Sequence, residues 1–211
     1  LFLKKPGVDT PAFSRVRADH HVFEAEQVRP DDPEGYWREL RARYFGNVTV
    51  LDRAIGPILG ALAQTGQANN TIVVFTSDHG DSLGDRGMIN KRSFYEEVAR
   101  VPLIIHVPWL GSEERRVDGN IGHADLVPTL LDLIGEEVPE YIQGSSRKDV
   151  LEEKAELSDD VFLQWHGGAA TVPLGNPEIE RLSEIPWRCM VSSERWKLNL
   201  SPGDLCELYD L

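Results

Sequence analysis

The residues best suited to chemistry follow a short apolar run. Ile72 to Phe75 are apolar and mostly β-branched, and the acidic Asp78 and the imidazole of His79 come soon after them. The run is too short for an independent helix and predicts a buried strand of a parallel sheet. In open α/β sheets, ligands bind beyond the carboxyl ends of the strands. A carboxylate beside an imidazole there suits a divalent metal ion, and the oxygen favours calcium, magnesium or manganese.

The segment after this pair is a glycine-rich loop. Gly80 lets the backbone turn sharply without a Cβ penalty, and the loop continues to Gly87. Ser93 to Glu96 has the pattern of a capping box and predicts the start of a short helix. An ordinary strand followed by a solvated turn is the alternative interpretation of the Asp-His-Gly motif.

Two elements should precede this strand. Residues 5–35 contain several prolines and no sustained periodicity, which predicts an irregular segment with His20 and His21 as solvated loop residues. Asp32 then caps a long helix, which Gly66 ends and which Pro57 should kink or split. An apolar stripe along this helix predicts a core-facing side, made of Trp37, Leu40, Tyr44, Val48, Leu51, Ile55, Ile58 and Leu62.

The rest of the chain changes character near residues 143–158. Before this segment, residues 103–107 predict a second buried strand, and residues 125–134 predict a helix that ends at Gly135. Beyond it, strand-like segments follow one another without helices, which predicts an antiparallel meander. The two cysteines, Cys189 and Cys206, fall in the first and third strands of this meander, too far apart for a disulfide.

Composition excludes two classes of partner. The chain has 211 residues and a net charge of −13, so it lacks the basic surface that nucleic-acid binding requires. No apolar run is long enough for a membrane span. An anionic substrate would have to be attracted locally, by a metal ion or by individual lysine and arginine residues.

Several segments, taken in order, resemble the sulfatases, which belong to the alkaline-phosphatase-like superfamily. They are Leu51–Gly56, Asn70–Asp81, Leu83–Asp85, Lys91 with Phe94–Glu97, Arg100–Leu103, Asp125–Leu130, Arg195–Leu198 and Glu207–Leu211. The resemblance implies an α/β fold: an alkaline-phosphatase-like mixed, mostly parallel sheet flanked by helices, with a small C-terminal antiparallel sheet subdomain. Residues 1–150 would then be the C-terminal portion of the main domain, and residues 151–211 the truncated subdomain.

The resemblance also assigns roles to individual residues. Asp78 and His79 match two ligands of the family's divalent metal ion, which is usually calcium. Lys91 matches the lysine that contacts the sulfate group. Arg86 stands where many relatives have the histidine of Gly-Asp-His-Gly, and it would supply a positive group near the substrate. A metal ion and an ammonium aimed at the sulfate oxygens would stabilise the charge that they carry as the S–O bond breaks.

One feature of the family is missing from the sequence. The family nucleophile is a formylglycine made from the first residue of a Cys-x-Pro-x-Arg motif, and neither Cys189 nor Cys206 begins such a motif. The chain is therefore expected to be a fragment of a sulfuric-ester hydrolase, inactive alone, whose parent acts on a sulfate-ester small molecule or carbohydrate. A phosphodiester or phosphonate-ester hydrolase of the same superfamily and a non-catalytic module are the alternatives.

Overall fold

The computed structural model describes residues 7, 9–111, 113–168 and 177–211, which form two compact units. The first unit comprises Leu1–Trp109, Trp165–Pro186 and Ser201–Leu205, and the second comprises Leu110–Gln164, Trp187–Leu200 and Cys206–Leu211. The helices are α1 (Ala12–Val28), α2 (Pro33–Gln64), α3 (Glu96–Ala99), α4 (Leu126–Ile134), α5 (Lys148–Leu151) and α6 (Pro177–Ser183), and the strands are β1 (Val73–Thr76), β2 (Leu103–His106), β3 (Val161–Trp165), β4 (Trp187–Val191), β5 (Trp196–Leu200) and β6 (Glu207–Asp210). The units interleave along the chain, and the division at residue 150 stays a prediction.

The segment predicted to be irregular contains helix α1, so that prediction was wrong. The prolines stand outside the helix, since Pro11 is its N-cap residue and Pro30 follows its end. Pro11 has no capping side chain, but Asp204 accepts hydrogen bonds from the N–H groups of Ala12 and Phe13 at 3.0 and 3.4 Å. The buried side of α1 is partly polar and consists of Phe13, Ser14, Arg17, Ala18, His21 and Ala25. This mixture hides the apolar periodicity that usually indicates a helix.

Helix α2 begins as predicted but is less buried than predicted. The side chain of Asp32 accepts a hydrogen bond from the N–H of Gly35 at 2.9 Å, and the helix continues unbroken through Pro57. Trp37 is 2% exposed, whereas Val48, Leu51 and Ile58 are 48%, 62% and 62% exposed. The prediction of a core-facing stripe is therefore wrong for most of the helix, because no described residue covers its second half.

Strands β1 and β2 form a two-stranded antiparallel sheet. The register places Thr76, the last residue of β1, opposite Leu103, the first residue of β2. The apolar runs correctly predicted both strands, but not their direction, since the described partner is antiparallel. Burial on both faces was also wrong, because Phe75 and Ile104 are 44% and 62% exposed. Continuous apolar sequence favours a covered strand, yet it does not specify which partner covers it.

The second unit confirms the predicted meander. A four-stranded sheet has the order β3-β4-β5-β6, and both β4 with β5 and β5 with β6 pair antiparallel. Helix α4 ends as predicted at Gly135, which has a φ of +80°. The buried Asp125 accepts hydrogen bonds from Nε and Nη2 of Arg147 at 3.0 and 2.9 Å. Asp125 belongs to a segment that resembles sulfatases, and its role here is to join the start of α4 to the loop before α5.

None of the described helices is both long and apolar enough to cross a membrane. Cys189 and Cys206 form no disulfide, as predicted, and Cys189 is buried whereas Cys206 is exposed just before β6.

We expect the folded chain to expose a single reactive thiol. Titration with a thiol reagent should show Cys206 reacting promptly and Cys189 only after unfolding, since a buried thiol is shielded from the reagent. The unfolded, unreduced monomer should count two free thiols. A count of none would mean that the two cysteines are linked and that the strand order is wrong.

Candidate active site

The candidate site begins where strand β1 ends. Ser77, Asp78 and His79 follow Thr76 directly, and hydrogen bonds among them fix their conformation. Asp78 Oδ1 accepts from the backbone N–H of His79 at 2.9 Å, and Ser77 Oγ donates to the carbonyl oxygen of His79 at 2.9 Å. His79 Nδ1 lies 2.8 Å from the carbonyl oxygen of Gly80, where a protonated Nδ1 donates. This arrangement leaves Nε2 of His79 as the nitrogen directed away from the backbone.

Lys91 meets this nitrogen. Its Nζ lies 2.6 Å from Nε2 of His79, and Asp78 Oδ2 lies 3.2 Å from the same nitrogen. The structure therefore brings together the three residues to which the resemblance assigns contacts with the metal ion and the sulfate. A carboxylate oxygen, an imidazole nitrogen and an ammonium thus converge beyond the end of β1.

The carboxylate of Asp78 is favoured in its charged form. The backbone N–H of His79 is the largest cause of a lowered pKa for Asp78, and the charges of His79 and Lys91 act in the same direction. Asp78 is largely exposed, with 80% of its side chain accessible, so these interactions add little to stability. Their consequence is chemical, because the oxygen stays available as an anionic ligand at neutral pH.

Gly80 is needed for a close contact. The backbone N–H of Gly80 donates to the carbonyl oxygen of Val98 at 2.8 Å. A Cβ at this position would lie 2.0 Å from the carbonyl oxygen of Glu97, and this distance is too short for any side chain. The sequence attributed this glycine to a sharp turn, whereas the structure shows the backbone of α3 packed against it.

Asp81 closes the loop that returns the chain to His79. Its Oδ1 accepts hydrogen bonds from the N–H groups of Leu83 and Asn90 at 2.8 and 3.1 Å. The N–H of Ser82 also donates to the carbonyl oxygen of Asn90 at 3.0 Å. These bonds hold the two ends of the loop together, and Lys91 follows immediately. An aspartate at the start of a turn is a sequence signal for such bonds.

Arg86 makes different contacts. Its guanidinium pairs with the carboxylate of Glu97, and its Cζ lies 4.0 Å from the centroid of the Tyr95 ring. The capping box predicted at Ser93 to Glu96 is absent. Helix α3 begins at Glu96, and the buried hydroxyl of Ser93 makes no hydrogen bond with the described residues. Arg86 thus connects the loop to α3, and its role in substrate binding stays a prediction.

Sequence reasoning missed three residues that reach the loop from the helices before it. Arg17 and His21 of α1 contact the backbone at residues 89–92, and Arg41 of α2 donates to the carbonyl oxygen of Leu83 at 2.6 Å. His21 had been interpreted as a solvated loop residue, but it is 8% exposed. No pattern in the sequence indicates these contacts, because they join segments far apart in the chain.

The donors present fit part of a metal site. Asp78 Oδ2 and His79 Nε2 are close enough to face one cation. Among residues 7, 9–111, 113–168 and 177–211, no group of three or more His, Cys, Asp and Glu side chains is placed to hold a metal ion. Calcium takes about 6–8 oxygen ligands. Two donors among the described residues would therefore be a minority of the ligands that such an ion requires.

Comparison with known proteins identifies a family for the chain. A family model described as Sulfatase matches residues 10–136, which is more than half of the chain. The chain is 39% identical over 120 residues to an arylsulfatase of Clostridium perfringens, covering 56% of this chain and 25% of that protein. The chain thus spans about a quarter of the length of this curated relative.

Two solved structures show the same fold. A protein in complex with its substrate D-glucosamine-2-N,6-O-disulfate has a TM-score of 0.74 and 29% identity, covering 88% of this chain and 38% of that one. A phosphonate monoester hydrolase from Silicibacter pomeroyi has a TM-score of 0.71 and 28% identity, covering 86% of this chain and 37% of that one. The fold is therefore that of the alkaline-phosphatase-like hydrolases, as the sequence predicted. Within that class, the chain belongs to the sulfatase family. Sulfatases generally use a divalent metal ion.

The isolated chain should bind calcium weakly. Calorimetric titration is expected to show no tight, saturable binding, because Asp78 and His79 provide only two ligands. Asp78→Asn is the matched control, and it should give the same titration as the unchanged chain. Tight stoichiometric binding that disappears in Asp78→Asn would show a more complete site than these residues form.

The neutral state of His21 should make the folded chain sensitive to acid. Burial, followed by the charges of Arg17 and His20, lowers the pKa of His21 from 6.5 to about 3. The unfolded chain takes up this proton below its ordinary pKa, whereas the folded chain does so only near the lowered pKa. The stability linked to neutral His21 is therefore present above pH 6.5 and is lost as the pH falls toward 3.

His21→Asn tests this dependence, because an amide oxygen accepts the same hydrogen bond without titrating. Urea unfolding at about pH 7 and about pH 4.5 should show that the variant loses less stability on acidification than the unchanged chain. An equal loss in both proteins would mean that other groups account for the acid sensitivity.

Proposed function

We propose that this chain is the part of a sulfuric-ester hydrolase that carries two ligands of the divalent metal ion and the cation that contacts the sulfate. The observation that supports this most strongly is the convergence of Asp78 Oδ2, His79 Nε2 and Lys91 Nζ beyond strand β1. Membership of the sulfatase family gives this arrangement its chemical meaning.

The proposed chemistry follows from the charge on a sulfate ester. As the S–O bond breaks, negative charge accumulates on the bridging oxygen and persists on the other oxygens. The ammonium of Lys91 would hold a non-bridging oxygen, and positioned charge of this kind favours the transition state over the ground state. Asp78 and His79 would hold the metal ion, which supplies Lewis-acid polarisation of the sulfate when bound.

We further propose that the ion is calcium and that the nucleophile is a formylglycine in a part of the protein outside this chain. The carboxylate of Asp78 suits a hard cation such as calcium, whereas the imidazole of His79 equally suits manganese or zinc. Neither cysteine of this chain precedes the Pro and Arg that formylglycine formation requires in the family. Metal analysis and mass spectrometry of the full-length protein test these two assignments separately.

The proposed substrate is a sulfated small molecule or carbohydrate. A neighbouring structure was solved with D-glucosamine-2-N,6-O-disulfate, a sulfated sugar, as its substrate. Phosphonate-ester hydrolysis is the second candidate, since the phosphonate monoester hydrolase has a nearly equal TM-score. Both reactions use an anionic tetrahedral group, so the residues of this chain suit either one.

The test is a comparison of Lys91→Ala with Lys154→Ala in the full-length protein that contains this chain. Lys91→Ala should lower kcat for an aryl sulfate by about 100-fold or more, because a positioned charge is lost from the transition state. Lys154 pairs with Glu152 at the surface of the second unit, and its removal should leave the rate unchanged.

Parallel assays with aryl sulfate, phosphonate monoester and phosphodiester distinguish the two candidate reactions. A higher kcat/KM for the sulfate ester supports the sulfatase proposal, and a higher value for a phosphorus ester supports the second candidate. No turnover of any of these esters by a protein with formylglycine and bound metal would favour a non-catalytic module.

A further inference from the structure

We infer that Arg17 and His21 of helix α1 are positioning residues for Lys91. They hold the turn at residues 89–92, and this turn places the ammonium of Lys91 beside His79. The inference rests on the proposed function only in giving Lys91 a role with the substrate. The contacts themselves belong to the first unit and can be tested without substrate or metal.

The turn at residues 89–92, called here the lysine turn, has an unfavourable backbone conformation. Asn90 and Arg92, the neighbours of Lys91 on either side, have φ angles of +64° and +77°. Asparagine tolerates this left-handed region, but an arginine side chain rarely adopts it. Such a conformation persists only where surrounding contacts specify it. The placement of Lys91 therefore depends on what holds the turn.

Helix α1 provides those contacts from one side. Arg17 donates from Nη2 to the carbonyl oxygen of Ile89 at 2.9 Å and from Nη1 to that of Arg92 at 3.3 Å. His21 Nδ1 accepts a hydrogen bond from the N–H of Ile89 at 3.2 Å. One guanidinium thus bridges the carbonyl groups before and after Lys91. The planar fork of arginine suits this double contact, and the single ammonium of lysine does not.

The burial of this contact argues against an incidental surface interaction. Arg17 and His21 are 4% and 8% exposed. Burial lowers the pKa of Arg17 to about 10, so the guanidinium stays charged at neutral pH. A buried cation is unfavourable unless it is well hydrogen-bonded, and the main partners here are the two carbonyl groups of the lysine turn.

Positioning matters because a lysine side chain is long and flexible. The contact between Lys91 Nζ and Nε2 of His79 joins residues twelve positions apart, and four methylene groups separate the ammonium from the backbone. A fixed turn limits the directions that this side chain can take. A mobile turn would leave the ammonium in water for much of the time, with a corresponding loss of effective concentration at the site.

The test measures the Lys91–His79 contact directly in the 211-residue chain. Nuclear Overhauser contacts between the Lys91 Hε protons and the His79 ring should be present in the unchanged chain. They should be lost in Arg17→Lys, which keeps the charge but cannot bridge both carbonyl groups. Arg41→Lys is the matched control, because Arg41 holds the same loop at Leu83 and Asp85, away from the lysine turn.

A purely structural role for Arg17 would give a different result. In that case Arg17→Lys and Arg41→Lys would lower the free energy of unfolding, and the Lys91–His79 contact would persist in both. Persistence of the contact in folded Arg17→Lys overturns the inference. It leaves the proposed function untouched, since that proposal is decided by ester hydrolysis.

A second pair of variants keeps the test decisive if Arg17→Lys does not fold. His21→Leu removes the acceptor for the N–H of Ile89, whereas His21→Asn retains one. Loss of the Lys91–His79 contact in His21→Leu and its recovery in His21→Asn support positioning. An unchanged contact in folded His21→Leu contradicts it.

Discussion

The candidate site depends on one carboxylate, that of Asp81. It lies just after the proposed metal ligands and binds the backbone N–H of Asn90, just before Lys91. Backbone hydrogen bonds between Ser82 and Asn90 and between Gly84 and Met88 close the rest of the loop. Because the loop is closed in this way, residues from a single stretch of sequence supply both an anionic side chain and a cation. The proximity of opposite charges at the end of β1 is thus a local property of the chain.

The loop takes its orientation from the helices that precede it. Arg41 of α2 binds the carboxylate of Asp85 at 2.7 Å, and Gly84 lies so close to Trp37 that a Cβ would come within 2.9 Å of the indole ring. Helix α1 contacts the opposite end of the loop. The buried sides of both helices therefore carry polar or aromatic groups at the positions that face the loop. Their composition reflects the needs of the site as much as those of a hydrophobic core.

The sequence predicted the local features of the site well. The apolar run of β1 and the motif at residues 78–80 indicated where the site begins, and the family resemblance assigned Lys91 to it. In the structure, Lys91 Nζ lies 2.6 Å from Nε2 of His79. The start of α2 and the strands of the meander were also predicted, because caps and alternating patterns depend on neighbouring residues. Family resemblance, confirmed by comparison, supplied the fold class that these patterns alone left open.

The features that sequence could not predict are those set by distant parts of the chain. Helix α1 has Ser14, Arg17 and His21 on its buried side, so its buried positions do not form the apolar repeat that identifies a helix in sequence. The exposed stripe of α2 and the antiparallel partner of β1 depend on which segment packs against them. For α2 and β1 the pattern predicted the element correctly and its surroundings incorrectly, whereas for α1 it missed the element itself.

The cap that Asp204 places on helix α1 has a consequence for the order in which the chain folds. The capping contact joins residues 192 positions apart, and α6 also packs against α1. During synthesis, α1 emerges from the ribosome well before residue 204 and cannot complete this contact until that residue has emerged. Contacts of such long sequence separation slow folding and leave early segments exposed. The helix that holds the lysine turn is therefore synthesised long before the residue that caps it.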